Sequence, residues 1–325
     1  MSTKKNKIII ISGPTASGKT STSMLLSHAL KQEGLDSAIV NFDSLLFYKE
    51  LSIGTAKPSK EELETFEHHL VDIVSASSPL NASDFLSRAD STLSKLVSEN
   101  KIPIFVGGSA FYIRAFVKGM YDSNPISEDL RDKIDKEYKE RGIHFIREIL
   151  EKRDPASFNQ LHENDHYRNI RAYEHLMATG EPISQQKQKS DENNPYDFTI
   201  NRLKDFDIIH IYLDLPKEEH WKIILKRTEE MVANGLVAEV KNLLASGFDG
   251  SEKPLGSIGY KETIQFINGE FDSEQDYIER IAISTRQLAK SQRTFFKKVS
   301  PKATFHPIED KNKIVNHTLS AIKEE

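Results

Sequence analysis

The sequence predicts an α/β fold: a doubly wound parallel sheet forms the core, and a helical insertion domain interrupts it. Three observations point there. Short β-branched runs alternate with long helix-like stretches toward both ends of the chain. The first run opens into a glycine-bracketed loop and then a helix. Between Gly119 and about Lys204 the strand signals stop while charged helical segments continue. Apolar runs too short for helices, each followed by a helical stretch, are the pattern of parallel strands buried on both faces.

Taken in order, residues 7–12 are a β-branched run closed by Gly13 and read as the first strand. Residues 19–32 read as a helix ending at Gly34, and residues 37–42 (SAIVNF) as a second buried strand. A helix over 82–99 precedes a third strand at 102–106 (IPIFV), which Gly107 and Gly108 end. Helical segments at 127–141 and 143–152 and a polar loop around 185–195 fill the insertion. Residues 208–214 (IIHIYLD) form the last strong strand candidate; 217–246 and 274–299 read as helical, and the rest as a charged tail. The expected division is therefore residues 1–119 with 205–325 as core and 120–204 as insertion.

With 38% hydrophobic residues in 325, the chain can bury a sizeable core. The formal net charge of −5 gives no global attraction for nucleic acid, so any such site has to be a local patch. The absence of cysteine removes disulfides, thiolate catalysis and cysteine-based metal sites, and favours a cytoplasmic setting. The apolar run after the basic N-terminus covers residues 8–11 only, far short of the roughly 20 residues of a membrane span, so neither membrane targeting nor crossing is expected. Nothing points to an obligatory protein partner.

Gly13-Pro14-Thr15-Ala16-Ser17-Gly18-Lys19-Thr20 matches G-x-x-x-x-G-K-[ST], between a strand and a helix as the motif requires. The glycines let backbone N–H groups close on a phosphate, the helix N-terminus adds partial positive charge, Lys19 supplies a point charge and the Thr20 hydroxyl can hold Mg²⁺. The core is thus P-loop NTPase-like, a class that hosts many reactions. A nucleotide or small-molecule kinase would need an aspartate ending a strand, and Asp214 qualifies. Asp43 ends the second strand, where open parallel sheets place their ligands. The lesser alternative is that it caps a turn. Arg286, Lys290, Arg293 and Lys297, at spacings of four, three and four, put four cations on one helical face with no acid between them, a candidate RNA patch or a solvated face. His68 and His69 are badly placed for one metal, since neighbouring side chains diverge, and read as structural.

Several further stretches agree with one family: FDSLLFYKELSIGTAKPS (42–59), HHLVDI (68–73), VGGSAFYIRA (106–115), NDHYRNIRAYE (164–174), RTEEMVANGLVAEV (227–240), GSIGYKE (256–262) and STRQLAKSQRTFFK (284–297). With the phosphate loop, and in this order, they resemble the bacterial tRNA dimethylallyltransferases, or tRNA isopentenyltransferases, over roughly residues 7–300. Departures are Ser109-Ala110 for Thr-Gly, Leu51 for Met, Ser52 for Asp and Ser291 for a basic residue. The loss at 291 bears on an RNA phosphate contact rather than on the reaction. The cysteine-free chain also lacks the zinc finger of eukaryotic members.

The resemblance implies transfer of a dimethylallyl group from dimethylallyl diphosphate to N6 of the adenosine immediately 3′ of the anticodon, with Mg²⁺ as cofactor and the tRNA anticodon stem-loop as partner. The phosphate loop, residues Gly13 to Thr20, would then hold a diphosphate leaving group, with Asp43 as proton acceptor and Arg227 on the diphosphate. Ser109 would be a substrate-site hydroxyl, or simply a helix cap. Arg286, Gln287, Lys290, Arg293 and Lys297 would contact tRNA, as would Ser44 and, on the insertion, Asp165, Arg168 and Arg171. Ser44, Tyr48, Asp72 and Tyr112 are either channel-lining or packing residues.

Overall fold

The computed structural model describes residues 5–120, 126–186 and 194–324. Most of the polar loop expected at 185–195, and the first residues of the basic N-terminus, lie outside them. The strands β1 (Asn6–Ser12), β2 (Ser37–Asn41), β3 (His68–His69), β4 (Ile102–Gly107), β5 (Phe206–Leu213) and β6 (Ala303–Phe305) form one sheet in the order β3-β2-β4-β1-β5-β6. Every pairing is parallel. Among the described residues the helices include α1 (Lys19–Gln32), α2 (Lys60–Thr65), α3 (Ala82–Ser98), α4 (Ala110–Lys118), α5 (Glu128–Arg153), α6 (Pro155–Gln160), α7 (His166–Thr179), α8 (Lys217–Ala233), α9 (Leu236–Ala245), α10 (Tyr260–Ile267), α11 (Glu274–Lys298) and α12 (Lys311–Lys323).

Ile8 to Ile11 are fully buried, as a central strand covered on both faces requires. One face packs Ile9, Ile11, Ile39, Ile104 and Ile211 against Leu26 and Leu30 of α1 and Ile314 of α12. On the other, Phe42 touches Phe105, Phe85 and Phe116, with ring centroids 4.9, 5.0 and 5.1 Å away. The C-terminal segment is therefore more than a charged tail: Ala303–Phe305 extends the sheet beside β5, and Ile314 and Thr318 of α12 are fully buried.

The chain falls into two compact units, residues 1–118 with 201–325, and residues 119–200. The second has its own core, in which Ile134, Ile146 and Leu150 of α5 meet Ala172, Tyr173 and Leu176 of α7. Gly142 breaks α5 with φ 71°, a conformation that suits glycine, at the boundary between the two helical segments expected there. Buried Asp154 caps α6 through Ser157 N–H (3.1 Å) and accepts the Ser184 hydroxyl at 2.5 Å.

Because the strands are parallel, their carboxyl ends lie along one edge of the sheet. The phosphate loop follows β1, Asp43 follows β2, Gly107-Gly108-Ser109 close β4, and Asp214 follows β5. Space is tight at Gly108: a Cβ there would stand 2.6 Å from Gln292 Nε2 and 3.1 Å from the Gly13 carbonyl, so it would push on the Gln292 amide.

Candidate active site

The phosphate loop leaves β1 through Gly13, where a Cβ would lie 2.6 Å from the Leu213 carbonyl oxygen, and enters α1 through Gly18 in the left-handed region (φ 75°). Lys19 Nζ donates to the Pro14 carbonyl at 2.7 Å. Burial pulls its pKa down to about 8; Asp43 opposes the shift and Arg227 adds to it. Ser17 Oγ is buried without a hydrogen-bond partner among the described residues, an uncommon cost that a ligand oxygen in the loop would relieve.

The loop is clamped from two helices. The Thr15 N–H donates to Gln292 Oε1 on α11 at 2.7 Å, and the Thr15 carbonyl accepts from His220 Nε2 on α8 at 2.8 Å. Gln292 Nε2 in turn donates to the Gly108 carbonyl at 2.9 Å, tying the loop to the end of β4. Burial lowers the pKa of His220, in keeping with a neutral ring whose Nδ1 accepts from Arg293 at 3.0 Å. Sequence reading found neither Gln292 nor His220; polar residues in helices signal nothing until the fold brings them to the loop.

Asp43 is set by Asn41, which was also missed. Its Oδ1 accepts the Asp43 N–H at 2.8 Å, and its Nδ2 donates to the carbonyls of Asp43 and Leu70, both at 2.9 Å. The Asp43 carboxylate accepts the Leu45 N–H at 3.1 Å, so it does hold a turn, yet it also lines two cavities. One, of about 290 Å³, runs along the phosphate loop past Asn41, Thr55, His68 and Arg227. The other, of about 230 Å³, contains Ser44, Ser109 and Gln292 beside apolar Ile224, Met231, Ile258 and Ile281. Lys19, Asp43, Thr55 and Arg227 belong to both. Burial lowers the pKa of Arg227, and Asp43 counteracts that.

Thr55 follows a loop gripped by Glu239, another residue not anticipated. This carboxylate accepts the N–H groups of Ser52 (3.2 Å), Ile53 (2.8 Å) and Gly54 (3.3 Å) and the Tyr260 hydroxyl (2.6 Å). Burial, then Glu239, raises the Tyr260 pKa well above the ordinary phenol value. Ser109 combines both readings offered for it: it lines the second cavity, and its hydroxyl faces the Tyr112 N–H in the first turn of α4 at 3.5 Å. His68, considered structural, lines the first cavity, with Nδ1 donating to the Phe66 carbonyl at 2.7 Å. Tyr48 is core, Asp72 pairs with Lys57, and Tyr112 packs on Phe85 at 4.4 Å; none of the three lines either cavity.

The basic face of α11 needs correction. Arg293 Nε donates to Asp214 at 2.7 Å, Nη2 reaches the Leu215 carbonyl at 3.3 Å, and the side chain is only 11% exposed. Arg293 is an internal strut, not part of an open RNA-facing stripe. Its helical spacing was right, but Asp214 at the end of β5 captures it. Arg286 lies over the Trp221 ring, while Gln287, Lys290 and Lys297 are exposed. In the second unit Asp165 caps α7 and pairs with Arg168 at 3.2 Å, and Arg171 pairs with Glu174 at 2.5 Å.

A hard divalent cation such as Mg²⁺ would find the Thr20 hydroxyl on the wall of the first cavity. The described residues hold no group of three His, Asp or Glu side chains suited to a metal, so diphosphate oxygens and water would have to supply most ligands, as Mg²⁺ tolerates.

Comparisons with known proteins agree on one family for the chain. The family model described as IPP transferase matches residues 46–299. The tRNA dimethylallyltransferase 1 of Trichlorobacter lovleyi is 37% identical over 294 residues, 90% of this chain and 91% of that one. Its counterpart numbered 2 in Geotalea daltonii is 37% identical over 297 residues, 91% of this chain and 86% of the relative. The crystal structure of the full-length tRNA isopentenylpyrophosphate transferase of Bacillus halodurans is 27% identical, with a TM-score of 0.68 over 98% of this chain and 96% of that one. A eukaryotic dimethylallyltransferase structure, 23% identical with a TM-score of 0.75, shares the fold. With an α/β core built on a parallel sheet, a phosphate loop at its carboxyl edge and a family match across most of its length, this chain belongs to the IPP transferases, the family of the tRNA dimethylallyltransferases.

Proposed function

We propose that the protein transfers the dimethylallyl group of dimethylallyl diphosphate to N6 of the adenosine immediately 3′ of the anticodon, position 37, in tRNAs, releasing diphosphate, and that it does so in the cytoplasm. The observation that most supports this reading is the convergence of Lys19, Arg227 and Asp43 on shared cavity walls: two cations for a departing diphosphate and one carboxylate for a proton. In the reaction the allylic C–O bond breaks, N6 bonds to the allylic carbon, the N6 proton passes to the Asp43 carboxylate and diphosphate leaves. Lys19 and Arg227 stabilise charge that grows on the diphosphate as the bond lengthens. Thr20 would hold Mg²⁺, which when bound would supply further charge neutralisation for the departing diphosphate.

Asp43 is suited to accept the proton because the amine becomes acidic only as it is alkylated. Ile224, Met231, Ile258 and Ile281 offer an apolar wall that would seat the prenyl chain and keep water from an allylic cation. A base in an anticodon loop must leave its stack to reach such a cavity. The kinase alternative is disfavoured by Asp214: the aspartate that would serve Mg²⁺ and ATP is held by Arg293.

The test is transfer of label from dimethylallyl diphosphate, with Mg²⁺, to an unmodified anticodon stem-loop carrying the adenosine and to the same RNA without it. Label on the first alone is expected. Label on neither, with ATP-dependent phosphoryl transfer instead, would replace this reading by a kinase.

A further inference from the structure

Trp221 is the single tryptophan of the chain and stands 45% exposed on α8. Arg286 of α11 lays its guanidinium over the indole, 2.8 Å from the ring centroid. Two helices thus present one cation–π pair. The pair sits on the two helices that also wall the cavity holding Asp43. Ile224, three residues beyond Trp221, lines that cavity, as do Thr285 and Leu288 on either side of Arg286 in sequence. Leu288, itself 40% exposed, makes this rim apolar as well as cationic. Beyond Glu279, α11 carries no acid, and Lys290 stands exposed one turn past Arg286.

When an adenosine is drawn out of a loop, its neighbours lose a stacking partner, and single-stranded RNA is commonly held by aromatic and arginine planes that replace it. We propose that Trp221 and Arg286 form a stacking platform for an unpaired nucleobase flanking the target adenosine. This rests on the RNA substrate proposed above. Glu218 and Glu219 precede Trp221 on α8, but the α11 side of the pair carries only cations, Arg286 and exposed Lys290, and it is this side that favours an RNA occupant over a protein one, because a phosphate backbone is drawn to them.

The sole tryptophan makes the platform its own reporter. Titration of the protein with an anticodon stem-loop should change Trp221 emission, saturating at the Kd measured by gel shift; the same stem closed into a continuous duplex should not. Trp221→Ala should raise Kd and KM for the stem-loop by roughly tenfold, as for one lost base–aromatic stack. Trp221→Tyr, which keeps a stacking ring, should restore most of it at an unchanged melting temperature. If the stem-loop binds and is modified while emission stays constant, or if Trp221→Ala binds it as the wild type does, the platform is wrong and the transfer reading stands. If the wild type neither binds nor modifies the RNA, both fall. Should Trp221→Ala fail to fold, the wild-type emission and the Tyr variant still decide.

Discussion

Asp43 has few partners of its own: a backbone N–H from Leu45, and Lys19 and Arg227 on the same cavity walls. Replacing it by Asn keeps the turn acceptor and removes the proposed base. Asp43→Asn should therefore lower kcat by about 10² or more while RNA affinity holds, as single-turnover transfer and gel shift would report. Lys19 makes a second, pH-dependent case. With its pKa drawn down to about 8, the ammonium is charged below that pH and neutral above it. Affinity for dimethylallyl diphosphate should be flat at lower pH and fall as pH rises past about 8, while Lys19→Arg, charged throughout, should flatten the profile. Competition binding between pH 6 and 10 checks this. Arg293 and Lys290 separate two roles that α11 was expected to combine. Arg293→Ala would strand Asp214 and cost about 1–3 kcal/mol in urea unfolding, with the salt dependence of tRNA binding preserved. Lys290→Ala should leave stability alone and reduce the salt slope by up to about one.

The elements divide by how local their cause is. The strands β1, β2, β4 and β5 are written in runs such as IIII and IIHIYL, and the phosphate loop in its glycines, so both could be read directly. His68–His69 is a strand only because β2 lies beside it, pairing Ile39 with His68 and Val40 with His69. The last helix, α12, reads only as a charged tail: lysines at 311, 313 and 323 and the acids beyond them mask an inward face of Ile314, Val315, Leu319 and Ile322, which has meaning only once the sheet is there to receive it. For the site, the residues proposed for the reaction were legible because their types are unusual for their places: a lysine after glycines, an aspartate at a strand end. Those that hold them were not. Gln292, Asn41 and Glu239 act through hydrogen bonds to backbone far along the chain, and no period in a single sequence encodes such a partner. Helical spacing likewise put Arg293 on the right face, but only the fold shows that Asp214 waits there.

Across the molecule, two units each carry a core, one around the sheet and one around Ile146 and Leu150. Heating should depart from a single two-state transition, and inorganic diphosphate with Mg²⁺ should raise the transition of the unit that contains Lys19, seen by scanning calorimetry as a selective shift. The strand order carries a further consequence, in time rather than space. β1 finds its neighbours not in the next segment but at β4 and β5, so Ile9 must meet both Ile104 and Ile209 before the central strand is closed. Helices can form early and locally; pairing distant segments is slow. Since the phosphate loop, Asp43, Ser109 and Asp214 all sit at the ends of these late-closing strands, transfer activity should be the last property to return after dilution from denaturant. It should lag the recovery of helical circular dichroism, so that a partly folded chain would look helical long before it could bind a diphosphate.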